Sequence, residues 1–162
     1  IVILKKITKK EFDTLSHLLN NGENVVEDPF LIVAKQEKIA ELKQECDRQI
    51  IAGICIKLSD EQYHSFELTI EDQLNLKSIE TNFNKYKNGI IYHEKGKVCS
   101  VFTKDDMKLI ISCATHHIQY HTTYFNLMKY CINNMNAVKD IIDIHYGDEV
   151  PDLNYQKLLS QV

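Results

Sequence analysis

The chain is poor in arginine and glycine, and each scarcity removes a class of function. Of nineteen basic residues only Arg48 is an arginine. Planar, bidentate capture of phosphate or carboxylate relies on the guanidinium fork, so a chain with one such fork has little capacity for it. The lysines are interspersed with acids, and the formal net charge is −4. No basic stripe exists in the sequence, which argues against double-stranded nucleic acid as the main partner. The five glycines, at 22, 53, 89, 96 and 147, form neither the closely spaced dinucleotide-binding pattern nor a glycine-rich Lys-Ser/Thr loop. Gly96, between two lysines, reads as a hairpin turn. No apolar run approaches the length of a membrane-crossing helix, so transmembrane insertion is not expected. The first residues lack the basic region, long apolar stretch and small-residue cleavage pattern of a secretory signal. Cysteine is present but unpaired in pattern: the five, at 46, 55, 99, 113 and 131, are odd in number and include no Cys-x-x-Cys. They read as core thiols in a cytoplasmic or other reducing compartment.

What the chain does have is the balance of a folded globular protein: 44% apolar and 26% charged residues over 162 positions. That length suits one domain with a substantial core of its own. No internal repeat or long Gly/Ser/Pro linker forces a division. The expected organisation is a compact domain over 1–150 and a tail over 151–162, the tail docked on the domain or on a partner.

Local pattern predicts the elements. Ile1 to Leu4 reads as a strand, and Thr8-Lys-Lys-Glu11 has the spacing of a capping box ahead of the apolar face Phe12, Leu15, Leu18 and Leu19. Asp28-Pro29 reads as a turn and Phe30 to Ala34 as a strand. Residues 36–47 favour a helix through Ile39, Leu42 and Cys46, with a hairpin as the alternative that their short-range alternation permits. Gln49 to Leu58 reads as a strand, with Gly53 marking a bulge or a close backbone approach. Alternation at His64, Phe66, Leu68 and Ile70 predicts a half-buried strand. A helix is expected near 71–87 from Leu76, Ile79, Phe83 and Tyr86. Strands Ile90 to His93, Val98 to Phe102 and Lys108 to Cys113 follow, joined by loops too short for a parallel crossover. The last long helix is expected over about 118–135, and a short one over Ala137 to Ile144.

This order implies an α+β fold: a mixed, largely antiparallel sheet covered by helices in a single layered sandwich. Its middle portion resembles profilin-like scaffolds in topology, longin and roadblock proteins among them. The resemblance implies a role in assembly without catalysis. A second resemblance rests on the opening Ile-Val-Ile-Leu-Lys-Lys-Ile-Thr-Lys-Lys-Glu-Phe-Asp-Thr-Leu-Ser-His-Leu-Leu and the later Pro29-Phe-Leu-Ile-Val-Ala34. Together they resemble the beginning of acetyl-coenzyme-A-dependent N-acetyltransferases. Later sequence lacks that family's Arg/Gln-x-x-Gly-x-Gly/Ala loop for the cofactor pyrophosphate.

The densest chemistry lies at His116-His117-Ile118-Gln119-Tyr120-His121, with Cys113 three residues upstream. His117 and His121 are four apart and share a helix face. With Cys113 they are candidate ligands for zinc, the one cofactor considered. Cys113, His116 and His117 are the candidate catalytic groups, because a thiolate needs an imidazole to activate it. The simpler alternatives are a buried Cys113 and polar side chains, among them Thr115, His116, Thr122 and Thr123, that satisfy backbone amides at a helix start. The continuation is aromatic and apolar: Tyr120, Tyr124, Leu127, Met128, Cys131 and Met135 on the helix, then Leu153, Tyr155 and Leu158 in the tail. This face suits core packing or a protein contact. The favoured function is a non-enzymatic interaction or complex-assembly domain, binding a protein partner or a second copy. The alternative is a small acyltransferase-like or metal-dependent enzyme using the His116–His121 region.

Overall fold

The computed structural model describes residues 28–162. The expected strand and capped helix of the first twenty-two residues lie outside them. The described chain is mostly helical, with two small antiparallel sheets of two strands each. This overturns the layered sandwich built on one broad sheet, and with it the profilin-like topology.

Helix α1 spans Pro29–Ala52. Asp28 accepts a hydrogen bond from the Phe30 amide at 2.9 Å, and Pro29 occupies the first turn, where its missing N–H costs nothing. The expected strand Phe30 to Ala34 is therefore the start of this helix. A short apolar run has no period of its own, and the Asp-Pro pair before it is a helix start as well as a turn. The helix expected over 36–47 is present within α1, burying Leu42 and Cys46. It runs on through Ala52, so only the last part of the expected strand 49–58 is extended: β1, Ile54–Lys57.

Gly53 makes the corner between them at φ 81°. A Cβ there would lie 1.9 Å from the Phe66 carbonyl oxygen, so the close backbone approach expected at this glycine is real. Strand β2, Tyr63–Phe66, pairs antiparallel with β1, Ile54 opposite Phe66 and Lys57 opposite Tyr63. The alternation after it ends early: Phe66 and Leu68 are buried, but Ile70 is exposed and opens helix α2, Ile70–Thr81. A 3-10 turn over Phe83–Lys85 follows. Strands β3, Ile90–Tyr92, and β4, Ser100–Phe102, form the second antiparallel pair, as the two predicted strands imply.

Helix α3 is the spine of the fold, running over Lys104–Asn133. At about 1.5 Å per residue it is roughly 45 Å long. The expected strand Lys108 to Cys113 lies inside it. Met107, Ile110 and Ala114 are buried while Leu109 is exposed, which is helical spacing. Two short helices complete the chain: α4, Val138–Ile142, and α5, Leu153–Leu159.

Two apolar cores lie along the spine. One joins α1 to the second half of α3, α4 and the 144–150 loop, through Leu31, Leu42, Met128, Ile132 and Ile141. The other joins both hairpins and α2 to the first half of α3, through Phe66, Leu68, Ile90, Met107 and Ile110. Ile118 packs against both. The tail helix rests on the first core through Tyr155 and Leu159. Among the described residues no helix is long and apolar enough to cross a membrane. All five cysteines are free thiols; Cys46 and Cys131 are buried, Cys113 is half-buried, and Cys55 and Cys99 are exposed.

Candidate functional site at the waist of the spine

The histidine cluster sits in the middle of α3, near the level where the two cores meet. It is not the mouth of a helix. The helix-start role lies upstream, where Thr103 accepts from the Asp106 amide at 3.0 Å and Asp105 and Asp106 fill the first turn. Thr115, His116, Thr122 and Thr123 therefore cap nothing.

Once α3 is continuous from Lys104, Cys113, His116, His117 and Tyr120 fall at spacings of three and four and share a face. That face forms one wall of an open groove of about 780 Å³; the other wall is Gly53, Ile54, Cys55 and Ile56. Ser112 completes the lining. On the far side of Ser112 and His116 a second groove of about 500 Å³ is bounded by Glu80, Phe83 and Lys108.

The imidazoles are committed differently. His117 Nε2 lies 2.9 Å from the Gln49 carbonyl oxygen. A carbonyl only accepts, so Nε2 carries the proton and donates, satisfying one of the orphan carbonyls in the last turn of α1. His121 Nδ1 lies 2.9 Å from the Tyr146 hydroxyl, and the rings of His117 and His121 meet edge to face at 4.5 Å. Burial, and then the neighbouring His117, push the His121 pKa below its ordinary value of 6.5. Burial raises the pKa of Cys46 and, more strongly, of Tyr146. His116 is the exposed imidazole of the three.

No hydrogen bond joins the Cys113 thiol to His116 or His117 among the described residues, so their shared groove holds no preformed thiol–imidazole couple. Nor is any group of three or more His, Cys, Asp or Glu side chains there placed to hold a metal ion. The zinc set Cys113, His117 and His121 is not assembled: two of its ring nitrogens serve Gln49 and Tyr146 instead.

The apolar candidates divide by exposure. Tyr124, Leu127, Met128 and Cys131 are buried in the first core, and Met135 packs partly buried against it. Tyr124 also ties down the 145–150 loop, donating to the Asp148 carbonyl and accepting from the Gly147 amide, each at 2.9 Å. Tyr155 is half-buried against Tyr130. Tyr120, Leu153 and Leu158 remain exposed. Sequence reasoning missed the facing wall at Ile54, Cys55 and Ile56. Its apolar run signalled a strand, but nothing local to it signalled the neighbour some sixty residues later. In comparisons with known proteins, no family, no curated protein and no solved structure matches the chain.

Proposed function

We propose that the chain is a protein-interaction domain that takes up an extended partner segment along the open edge of β1, against the Cys113–Tyr120 face of α3. One observation carries the reading: the groove is lined by the consecutive residues 53–56. Successive side chains of a strand point to opposite faces, so a groove that touches all of them runs along an edge.

The hydrogen-bond pattern supports that edge as an acceptor. Leu58 donates to the Gln62 carbonyl at 3.0 Å, which marks their position as a hydrogen-bonded pair. Pairs alternate in an antiparallel ladder, so Ile56 and Ile54 bond to β2 while the backbone groups of Cys55 and Lys57 point the other way. On β2 the matching outward carbonyl, Ser65, is taken by the Lys95 amide at 2.8 Å. Among the described residues β1 pairs with β2 alone. A partner strand would gain main-chain bonds at Cys55 and Lys57, and the thiol, imidazole and phenol groups of α3 would select its side chains. The acyltransferase-like or metal-dependent alternative has less support, because its thiol and imidazoles are not bonded to one another.

The test uses peptides selected from a random display library on the full chain. Bound peptide is expected to shift the NMR signals of Cys55, Lys57, Cys113 and Tyr120. Cys55→Pro removes an outward N–H without removing a ladder bond. It should weaken binding by roughly tenfold or more, as expected for loss of an edge hydrogen bond plus a steric block, while Cys55→Val binds as before. Peptides that bind Cys55→Pro as well as the original chain, or that shift a different surface, would discard the reading. Light scattering shows whether a second copy fills the edge.

A further inference from the structure

His64 is the side chain on which the two hairpins meet. Its Nε2 lies 3.1 and 3.0 Å from the two carboxylate oxygens of Asp60, in the β1–β2 turn. Its Nδ1 stands 3.1 Å from Glu94 Oε2, in the connection between β3 and β4. Both partners are carboxylates, which only accept. A neutral imidazole has one N–H, so it would satisfy one carboxylate and present a lone pair to the other. Nδ1 is not aligned to hydrogen-bond Glu94, so that contact holds by charge, and only the imidazolium both donates to Asp60 and attracts Glu94. The side chains of His64 and Glu94 are 15% and 11% exposed, so solvent has little room to mediate the mismatch.

The surroundings add to the demand for positive charge. Lys97 reaches Glu94 at 2.8 Å, but the groups around the ring are otherwise mainly acidic: Asp60, Glu94 and, on the first turn of α3, Asp106. The ion pairs Lys57–Glu61 and Lys95–Glu67 flank the contact and are each internally balanced. Beside them, the Lys95 amide donates to the Ser65 carbonyl at 2.8 Å, a backbone tie between the hairpins that does not itself titrate.

We propose that His64 is a pH-sensitive clasp, holding the β3–β4 turn against β2 as an imidazolium and releasing it as the ring loses its proton. Burial opposes charge on His64, and the two carboxylates beside it, Asp60 and Glu94, more than offset it, so its pKa lies above the ordinary 6.5. The clasp is therefore closed below 6.5 and opens as pH rises through that raised value. Its effect is local, since the Phe66, Ile90 and Phe102 core beneath it is apolar and unaffected by protons.

The test follows two NMR observables in the full chain. The His64 ring signal should titrate above 6.5. Exchange of the Lys95 amide, corrected for its intrinsic pH dependence, should be about fivefold faster above that point than below it, the scale of a partly exposed ion pair. His64→Gln and Glu94→Gln should each abolish the step. A ring that titrates at or below 6.5, or a step that survives in Glu94→Gln, would overturn the clasp. The Glu94 variant and the titration of the unaltered chain decide the matter even if His64→Gln does not fold.

Discussion

At the scale of single residues, two half-buried histidines are shifted in opposite directions for reasons their flanking sequence does not contain. His64 faces two carboxylates, and its pKa is raised. His121 faces the Tyr146 hydroxyl and another imidazole, and its pKa is lowered, by burial first and then by His117. Linkage gives the two opposite signs. For His121 the unfolded chain takes up the proton first as pH falls, so its contribution is present above 6.5 and is lost towards its own lower value. For His64 the contribution is complete below 6.5 and is lost as pH rises through its higher value. His121→Asn should therefore flatten the acid side of the stability profile as pH falls below 6.5 and leave the neutral side falling. Urea midpoints across that range check it; an acid limb identical to that of the unaltered chain would refute the assignment.

The same scale holds what no sequence pattern announces. Lys35 and Lys38 are buried on α1, where their ammonium groups donate to the Asn133 and Ile144 carbonyls at 3.0 and 2.9 Å. Each meets a backbone end roughly a hundred residues away, next to the C-termini of α3 and α4. Cations are favoured there by the orphan carbonyls and the helix dipole. Lysine is expected at a surface, and its burial follows only from packing that the local sequence does not encode. The histidine cluster, by contrast, was legible as a place, while the function of each ring depended on a carbonyl or a hydroxyl supplied from elsewhere.

At the scale of elements, the two helices that flank the β3–β4 hairpin begin alike. Thr69 and Thr103 each accept from an amide three residues on, and Asp72 and Asp106 each accept a hydroxyl proton in return, at 2.6 Å in both cases. Asp106 does more than close its own helix, because it also accepts from the Ser59 amide at 3.0 Å and the Ser59 hydroxyl at 2.9 Å, tying the β1–β2 turn to α3. Those bonds hold its carboxyl below the usual carboxylate range against the cost of burial. Thr103→Ala should cost about 1 kcal/mol, the usual worth of an N-cap, and lower the melting temperature by about 2–4 °C for a chain of this size. Thr103→Ser should cost much less. Circular dichroism melts compare them, and equal losses in both variants would show that the methyl group matters and the hydroxyl does not.

This repeated Thr-x-x-Asp spacing also shows where element prediction went astray. It marks Thr103 as a helix start, yet the apolar residues after Lys108 match a strand over a short window, and the apolar run after Pro29 does the same. Runs of five or six apolar residues cannot distinguish the two periods, so the caps at Asp28 and Thr103 were the discriminating signals. Both apparent strands are helix, and without them no broad sheet remains. The hairpin around Gly96 and the close backbone approach at Gly53 were legible because turn chemistry is local, whereas the helix-to-strand corner that Gly53 makes was not.

At the scale of the whole molecule, a single long helix serves two cores, and the question is whether they fold as one. The connections are few but continuous: the backbone of α3 itself, Ile118 touching both clusters, the His117 bond to Gln49, and the Leu68 amide donating to the Ile51 carbonyl at 3.3 Å. A helix interrupted at its middle would expose apolar surface on both sides, so opening one core leaves the other half of α3 without the packing that makes a helix persist. Ile110 and Ile132 are both fully buried, one in each core. Ile132→Ala should destabilise the chain by about 2–5 kcal/mol, the range for emptying a core position of that size. If the spine couples the cores, slow amide exchange around Ile110 should accelerate by the same factor as exchange around Ile132, and Ile110→Ala should give the reciprocal result. Acceleration confined to the mutated half would mean that the waist is a joint between two separately folding lobes. The groove beside Cys113 would then lie where they move against each other, and partner binding there would report on their relative position as well as on β1.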